Sequence, residues 1–241
     1  LAWKLDAALK GQADDRLLDS YQSERRPHAK AMIDLSIHMK NFVSTANPLL
    51  SSLRNVATRT ARRTPGLREF LSEAKFKPRP RYEAGAYFGL PRQRRNGLEG
   101  EQLPQPTLAD RECRPLLLDE ALGEGYALIG FAVDPRQSLS AADLQQLAQL
   151  NTRYLTLYPA GGRPQGKAAA STPAGLSEWE DMSGECIRRF REAGYAEGTV
   201  AIVRPDRFVF AMARPGNAPA AVHSLLEQLG LQAVTRQQEA S

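Results

Sequence analysis

The sequence has 241 residues, of which 42% are hydrophobic and 24% charged, and a net charge of +5. These proportions are ordinary for a folded protein and exclude wholesale disorder, and no apolar run approaches the roughly 18 residues of a membrane span. Two cysteines cannot form a disulfide framework, and three scattered histidines have no cysteine partners at zinc-ligand spacing. We therefore predict a cytoplasmic protein with no metal site and no membrane partner.

The charge is divided unevenly along the chain. Residues 1–100 carry 19 lysines and arginines against 10 acidic residues, whereas residues 101–241 carry 13 against 17. Such asymmetry is one sign of a nucleic-acid surface. No recognised nucleic-acid motif accompanies it, so we interpret the basic residues as a solvated helix face followed by a polar linker. We predict no nucleic-acid partner.

Residues 1–75 predict helices and no strand. Pro27 interrupts the apolar spacing and either kinks a helix or begins a new one, and Asn47 with Pro48 is typical of the first two positions of a helix. The chain starts inside an amphipathic pattern and shows no self-sufficient core here, which we interpret as one flank of a larger domain. We expect four helices in this part of the chain. The first covers 2–10, the second ends near residue 46, the third covers 47–63, and a short fourth ends near residue 74.

The remaining residues predict a linker and a second domain. Prolines and glycines are frequent in 76–108, which is typical of an extended connection, here also rich in arginine. In 109–237 the order of predicted elements is β-α-β-α-β-β-α, and a right-handed βαβ unit followed by ββα indicates a thioredoxin-like domain. We expect strands at 127–133, 154–158, 199–203 and 208–213, and helices at 140–150, about 179–193 and 219–229.

No catalytic constellation stands out in this second domain. A redox-active thioredoxin needs a cysteine of low pKa at the start of the helix after its first strand, and residues 134–138 (DPRQS) contain none. Cys186, predicted in the middle of a helix, is more typical of a small buried hydrophobe. Residues 204–207 (RPDR) are suited to binding an anion but are more simply a hairpin turn with charged flanks. Phosphate-binding loops and nucleophile elbows are absent as well.

Several segments in order along the chain resemble one family. The most specific is 17–36 (LLDSYQSERRPHAKAMIDLS), and the others are 1–5 (LAWKL), 76–82 (FKPRPRY), 117–123 (LLDEALG) and 203–209 (VRPDRFV). Together they resemble the C-terminal portion of the FAD-dependent aromatic hydroxylases, which are class A flavoprotein monooxygenases. The resemblance implies that 1–75 are the closing helices of an FAD-binding domain and that 109–237 are a C-terminal domain without redox cysteines.

The same resemblance implies a chemistry. In this family FAD is reduced by NAD(P)H, reacts with O2 and hydroxylates a phenol, here of the 3-(3-hydroxyphenyl)propionate type, in aromatic catabolism. The nucleotide-binding glycine motifs of the family do not occur in this sequence. We therefore expect the chain alone to bind no cofactor tightly and to be inactive. Its expected partner is the N-terminal FAD and substrate portion of the same enzyme, and a homodimer is left open.

The resemblance transfers few residues. Trp3 and Lys4 lie just beyond the family's flavin-contact loop and are candidates for packing near the cofactor. Met32, Ser36 and Met39 are candidates for lining the substrate pocket. No catalytic residue and no certain cofactor-binding residue can be assigned. The alternative function is a non-catalytic interaction module, in which a basic helical arm is joined to a thioredoxin-like domain.

Overall fold

The structure is a computed structural model that describes residues 1–44, 47–64, 66, 69, 81–90, 97–164 and 174–231. Its contacts divide the chain into two compact units. We name them the sheet unit, Leu1–Gln22 with Tyr82–Ser241, and the helical unit, Ser23–Arg81. Most of the predicted fourth helix and parts of the predicted linker lie outside the described residues. Within the described ranges, no helix combines the length and the apolar character needed to cross a membrane.

Three helices open the chain, at the predicted places. They are α1 (Ala2–Leu9), α2 (Arg16–Val43) and α3 (Pro48–Arg63). The side chain of Asn47 accepts a hydrogen bond from the backbone N–H of Leu49 at 2.9 Å, which satisfies one of the donors that a helix start leaves open. Pro27 lies inside α2 without ending it, so the predicted interruption neither divides the helix nor starts a new one.

The sheet unit is built on a mixed sheet. In the described residues the strand order is β2-β1-β5-β4-β3-β6-β7, with β4 parallel to β3 and β5 and the other pairs antiparallel. The strands are β1 (Thr107–Ala109), β2 (Pro115–Leu117), β3 (Ala127–Phe131), β4 (Arg153–Pro159), β5 (Leu176–Asp181), β6 (Val200–Val203) and β7 (Val209–Ala213). The helices of this part are α4 (Leu118–Leu122), α5 (Ala141–Gln149), α6 (Glu185–Glu192) and α7 (Ala218–Gln228).

The core lies on both faces of this sheet. Successive side chains of a strand point to opposite faces, and in β3 Leu128 packs in one cluster while Ile129 and Phe131 pack in the other. The first cluster contains residues of α5 and α7, and the second contains Phe190 of α6. The βαβ unit β3-α5-β4, followed after β5 by α6, β6, β7 and α7, confirms the predicted α/β, thioredoxin-like fold class.

Two details of the prediction are wrong. Trp179 was expected to begin a helix, but it lies in β5, and the helix that follows starts only at Glu185. Polar residues dominate β5, and its strand conformation depends on the ladder with β4, in which Leu157 lies opposite Trp179. Strands β1 and β2, of three residues each, were also not predicted, because short segments carry little periodicity.

The side chain of Asp143 contacts Ser140 at the start of α5 and His223 of α7. Burial raises the pKa of Asp143, but hydrogen bonds from Ser140 and the contact with His223, whose Nε2 lies 2.8 Å from Oδ1, bring the pKa below its usual value. A carboxylate with a lowered pKa in the folded state stabilises the fold above its unfolded pKa of about 3.9, and this contribution is lost as the pH falls through the folded pKa.

We therefore expect Asp143→Asn to lower the free energy of unfolding by about 1 kcal/mol at pH 7. The difference from the parent chain should shrink as the pH falls from about 4 through the lowered folded-state pKa of Asp143, below which both side chains are neutral. Urea titrations at several pH values measure this. Asp6→Asn, in an exposed pair with Lys10, is the control with little expected effect. A gap for Asp143→Asn that is independent of pH would contradict the prediction.

Candidate functional site

The first helix is held on the sheet unit by Trp3 and Lys4. The indole Nε1 of Trp3 donates a hydrogen bond to Asp206 Oδ2 at 2.9 Å, and its ring meets Tyr126 edge-on with centroids 6.0 Å apart. Lys4 is buried, and its Nζ donates to Ser20 Oγ at 2.5 Å. Both are packing residues of this unit, and their nearness to a flavin stays a prediction.

The turn between β6 and β7 supplies the partners of Trp3. Arg204 is 1% exposed, and its Nε and Nη2 donate to the two carboxylate oxygens of Asp206 at 3.0 and 2.6 Å. Arg207 has a φ of 69°, donates from Nη2 to the carbonyl of Gly123 at 2.6 Å and forms an ion pair with Asp119. Both guanidinium groups bind a carboxylate of the protein, although Nη1 of Arg207 is buried without a hydrogen-bond partner in the described part of the chain. These contacts favour the hairpin-turn interpretation over an anion site.

The predicted pocket residues lie together in the helical unit. Met32, Ser36 and Met39 follow i, i+4 and i+7 spacing along α2, so they share one side of the helix. Met32 is half-buried, whereas Met39 is 43% exposed. Ser36 Oγ donates to the carbonyl of Met32 at 2.8 Å, a bond within the helix. Their role in a substrate pocket stays a prediction.

The helical unit exposes many large apolar side chains. Leu49, Leu53 and Val56 follow i, i+4 and i+7 spacing on one side of α3, and they are 78, 65 and 59% exposed. Exposed apolar side chains in such density are typical of a surface that another protein segment covers. We name them the exposed apolar set, which comprises Ile33, Ile37, Met39, Phe42, Val43, Leu49, Leu50, Leu53 and Val56.

Both cysteines are free thiols, one buried and one exposed. Cys186 is the second residue of α6, not a residue of its middle, because the helix starts later than predicted. It is fully buried, and burial raises its pKa well above the usual value, so the interpretation as a small buried hydrophobe is confirmed. Cys113 is exposed. Across the described part of the chain, no group of three or more potential metal-ligating side chains is found.

The segment after β3, where a redox thioredoxin carries its cysteine, holds an ion pair. Arg136 Nη2 lies 2.9 Å from Asp134 Oδ2, and the Arg136 guanidinium lies 5.7 Å from the ring centroid of Tyr154. Burial raises the pKa of Asp134, but the hydrogen bonds from Arg136 outweigh it and the pKa falls below its usual value. The segment therefore holds an ion pair at the place where a redox thioredoxin has its cysteine, and the sequence did not predict this pair.

Two protein families match successive parts of the chain. Residues 100–228 match the HcaD C-terminal domain family, and residues 1–36 match an FAD binding domain family. The first match covers more than half of the chain and includes every strand of the sheet. The second includes α1 and the larger part of α2.

Curated relatives align with almost the whole chain. The 3-(3-hydroxy-phenyl)propionate/3-hydroxycinnamic acid hydroxylase of Klebsiella pneumoniae (strain 342) is 32% identical over 233 residues, which are 96% of this chain and 40% of that protein. The protein of the same name from Escherichia coli (strain K12) is 33% identical over 215 residues, which are 89% of this chain and 38% of that protein. The chain thus spans about two fifths of the length of these relatives.

Solved structures show the same fold. OxyS anhydrotetracycline hydroxylase from Streptomyces rimosus superimposes with a TM-score of 0.58 at 18% identity, over 96% of this chain and 39% of that chain. Aklavinone-11 hydroxylase, solved with FAD and aklavinone, gives a TM-score of 0.56 at 19% identity, over 95% of this chain and 38% of that chain. At such low identity the likeness concerns the fold alone.

Proposed function

The chain belongs to the FAD-dependent aromatic hydroxylase family that carries the HcaD C-terminal domain, and from this membership we propose that it is the C-terminal portion of a flavin monooxygenase. The observation that carries the proposal is the identity of 32% across 96% of the chain to a named hydroxylase. In this proposal residues 1–75 close the FAD-binding domain, 76–108 form the linker and 109–237 form the thioredoxin-like domain.

The proposed reaction is hydroxylation of a phenolic ring in aromatic catabolism, in the cytoplasm. When bound, FAD supplies the transfer of electrons from NAD(P)H and the activation of O2. The relatives are named for 3-(3-hydroxyphenyl)propionate and 3-hydroxycinnamic acid, and this supports a phenol with an acidic side chain as the substrate class. Met32, Ser36 and Met39 are the residues of this chain proposed to face it.

The proposed partner is the portion of the same enzyme that precedes these residues. The chain spans 40% of the Klebsiella relative, and the exposed apolar set supplies a surface that such a portion would cover. Specific contacts of this kind bury apolar side chains and exclude charge from their centre. The proposal therefore commits the exposed face of α3 to that partner.

We propose that the described residues do not by themselves make a flavin site. The indole N–H of Trp3 donates a hydrogen bond to Asp206, and the ammonium group of Lys4 donates one to Ser20. The polar atoms of both side chains are therefore directed at protein groups. Among the described residues no glycine-rich turn lies between a strand and a following helix in the manner of a phosphate-binding loop. This supports the expectation that the 241-residue chain alone holds FAD weakly and does not turn over.

The test is the visible absorption spectrum of the longer protein encoded by the intact gene, compared with that of the 241-residue chain. We expect a flavin spectrum only for the longer protein, bleached by NADH or NADPH faster when a 3-hydroxyphenylpropionate is present. Stoichiometric FAD in the 241-residue chain would contradict the part of the proposal about the chain alone. A colourless longer protein that does not change on addition of FAD would contradict the flavin function itself.

A further inference from the structure

Two segments from opposite ends of the chain share one carboxylate. Trp3 Nε1 and Arg204 Nη2 both donate to Asp206 Oδ2, at 2.9 and 2.6 Å. Tyr87 and Tyr126 complete the surroundings, since the Arg204 guanidinium lies 4.4 Å from the ring centroid of Tyr87 and the Trp3 ring packs edge-on against Tyr126. We name these five residues the Trp3 cluster.

The Arg204 side chain is built into this cluster rather than displayed on the surface. It is 1% exposed, its guanidinium lies 4.9 Å from the ring centroid of Trp3, and its Nη1 donates to the carbonyl of Ala86 at 3.1 Å. A buried charge is retained only when it is paired and hydrogen-bonded, and a planar guanidinium binds a carboxylate through two bonds while stacking on aromatic rings. The cluster therefore holds Trp3 by several directional contacts at once.

The position of the cluster in the chain gives it a role. Trp3 lies in α1, within residues 1–36 that match the FAD binding domain, whereas Arg204 and Asp206 lie within residues 100–228 that match the HcaD C-terminal domain. We propose that the Trp3 cluster is the latch by which the C-terminal domain positions helix α1 of the FAD-binding segment, with Arg204 and Asp206 as positioning residues. This inference deepens the proposed function and rests on it for its meaning in the enzyme.

The test uses the 241-residue chain and requires no flavin. Trp179 is the second of the two tryptophans, and its Nε1 is buried without a hydrogen-bond partner in the described part of the chain. Trp179→Phe therefore leaves Trp3 as the remaining indole and breaks no hydrogen bond of that side chain. In that background we compare Arg204→Lys with the control Arg207→Lys. The control makes the same substitution in the same turn, but the guanidinium that it removes is bound to Asp119 and Gly123 and does not contact Trp3 in any contact named above. The readouts are acrylamide quenching of Trp3 and hydrogen exchange of the α1 backbone amides.

We expect Arg204→Lys to raise the exchange rates of the α1 amides by about tenfold, the factor that corresponds to losing a hydrogen bond to a charged group, and to increase quenching of Trp3. Arg207→Lys should leave both readouts close to those of the parent chain. The inference is overturned if the two variants change α1 exchange equally, or if Arg204→Lys lowers the melting temperature while α1 exchange stays unchanged.

A second variant keeps the test decisive if Arg204→Lys does not fold. Trp3→Phe retains an aromatic ring at a half-buried position and removes the N–H donated to Asp206. We expect it to raise α1 exchange by several-fold, and to add little once Asp206→Ala is present, because Asp206→Ala already removes the acceptor of that bond. Unchanged exchange in Trp3→Phe would overturn the latch. The flavin spectrum of the longer protein is a separate measurement, so failure of the latch and failure of the proposed function are distinguishable.

Discussion

Replacing Gly130 with alanine is expected to lower the free energy of unfolding of the sheet unit by about 3 kcal/mol, because a side chain forced into a filled core shifts the backbone. Gly130 lies in β3, paired with Thr156 of β4 on one side and with Val200 of β6 on the other. A Cβ atom there would overlap the carbonyl oxygen of Val133. That oxygen is held in place because it accepts a hydrogen bond from Thr156 Oγ1 at 3.1 Å.

The matched control is Gly216→Ala, in the short 3-10 helix Pro215–Asn217. A Cβ atom at Gly216 meets nothing within 4 Å, and its φ lies outside the left-handed region. We expect this change to stay within about 0.5 kcal/mol of the parent chain. Urea titrations followed by circular dichroism measure both variants. Equal costs at the two glycines would show that the close approach at Gly130 is not what requires glycine there.

The sequence predicted those elements whose signal is local. The apolar run that contains Ile129 marks β3, because only a buried strand or a buried helix segment is apolar on both faces and the run is too short for a helix. Ser140 predicted the start of α5, and in the structure its side chain and that of Asp143 form a capping box. The turn at Pro205 and Asp206 joins β6 and β7 as an antiparallel pair. Each signal spans fewer than about ten residues.

The sequence did not predict elements that depend on distant partners. Strand β5 carries Glu178, Glu180 and Asp181, and because of these acidic residues its sequence lacks the apolar pattern that predicts a strand. Its strand conformation follows from pairing with β4 and β1, in a register that no local pattern encodes. The burial of Asp181 was not predicted either. Its side chain is fully buried and accepts a hydrogen bond from the backbone N–H of Ile187 near the start of α6.

Of the candidate site, the sequence indicated the separate segments but not the contact between them. The resemblance singled out both 1–5 (LAWKL) and 203–209 (VRPDRFV), and these segments contain Trp3 and the Arg204 turn. Their contact joins atoms of residues 203 positions apart, and nothing in either segment indicates the other. Burial of Arg204 was also unexpected, because an arginine in a charged turn is usually exposed. The burial of such an arginine can be recognised only once the fold shows the aromatic rings and the carboxylate around it.

Introducing a charge at Leu53 is expected to leave the stability of the 241-residue chain nearly unchanged and to reduce flavin loading of the longer protein. Leu53 is 65% exposed on α3, so Leu53→Glu should change the unfolding free energy of the 241-residue chain by less than about 0.5 kcal/mol. In the longer protein the proposed partner portion covers this side chain. There an unpaired carboxylate would be buried and an apolar contact of about 2 kcal/mol lost, so we expect at least a tenfold loss of flavin-loaded protein.

Thr58→Glu is the matched control, because it adds the same charge to the same helix about 140° around the axis from Leu53. Flavin bound per polypeptide after gel filtration of the longer protein measures the effect. We expect Thr58→Glu to retain its flavin and Leu53→Glu to lose most of it. If both variants of the longer protein load alike, the side of α3 that carries Leu49, Leu53 and Val56 faces solvent in the enzyme as well. The preceding portion would then dock elsewhere, although the flavin function would stand.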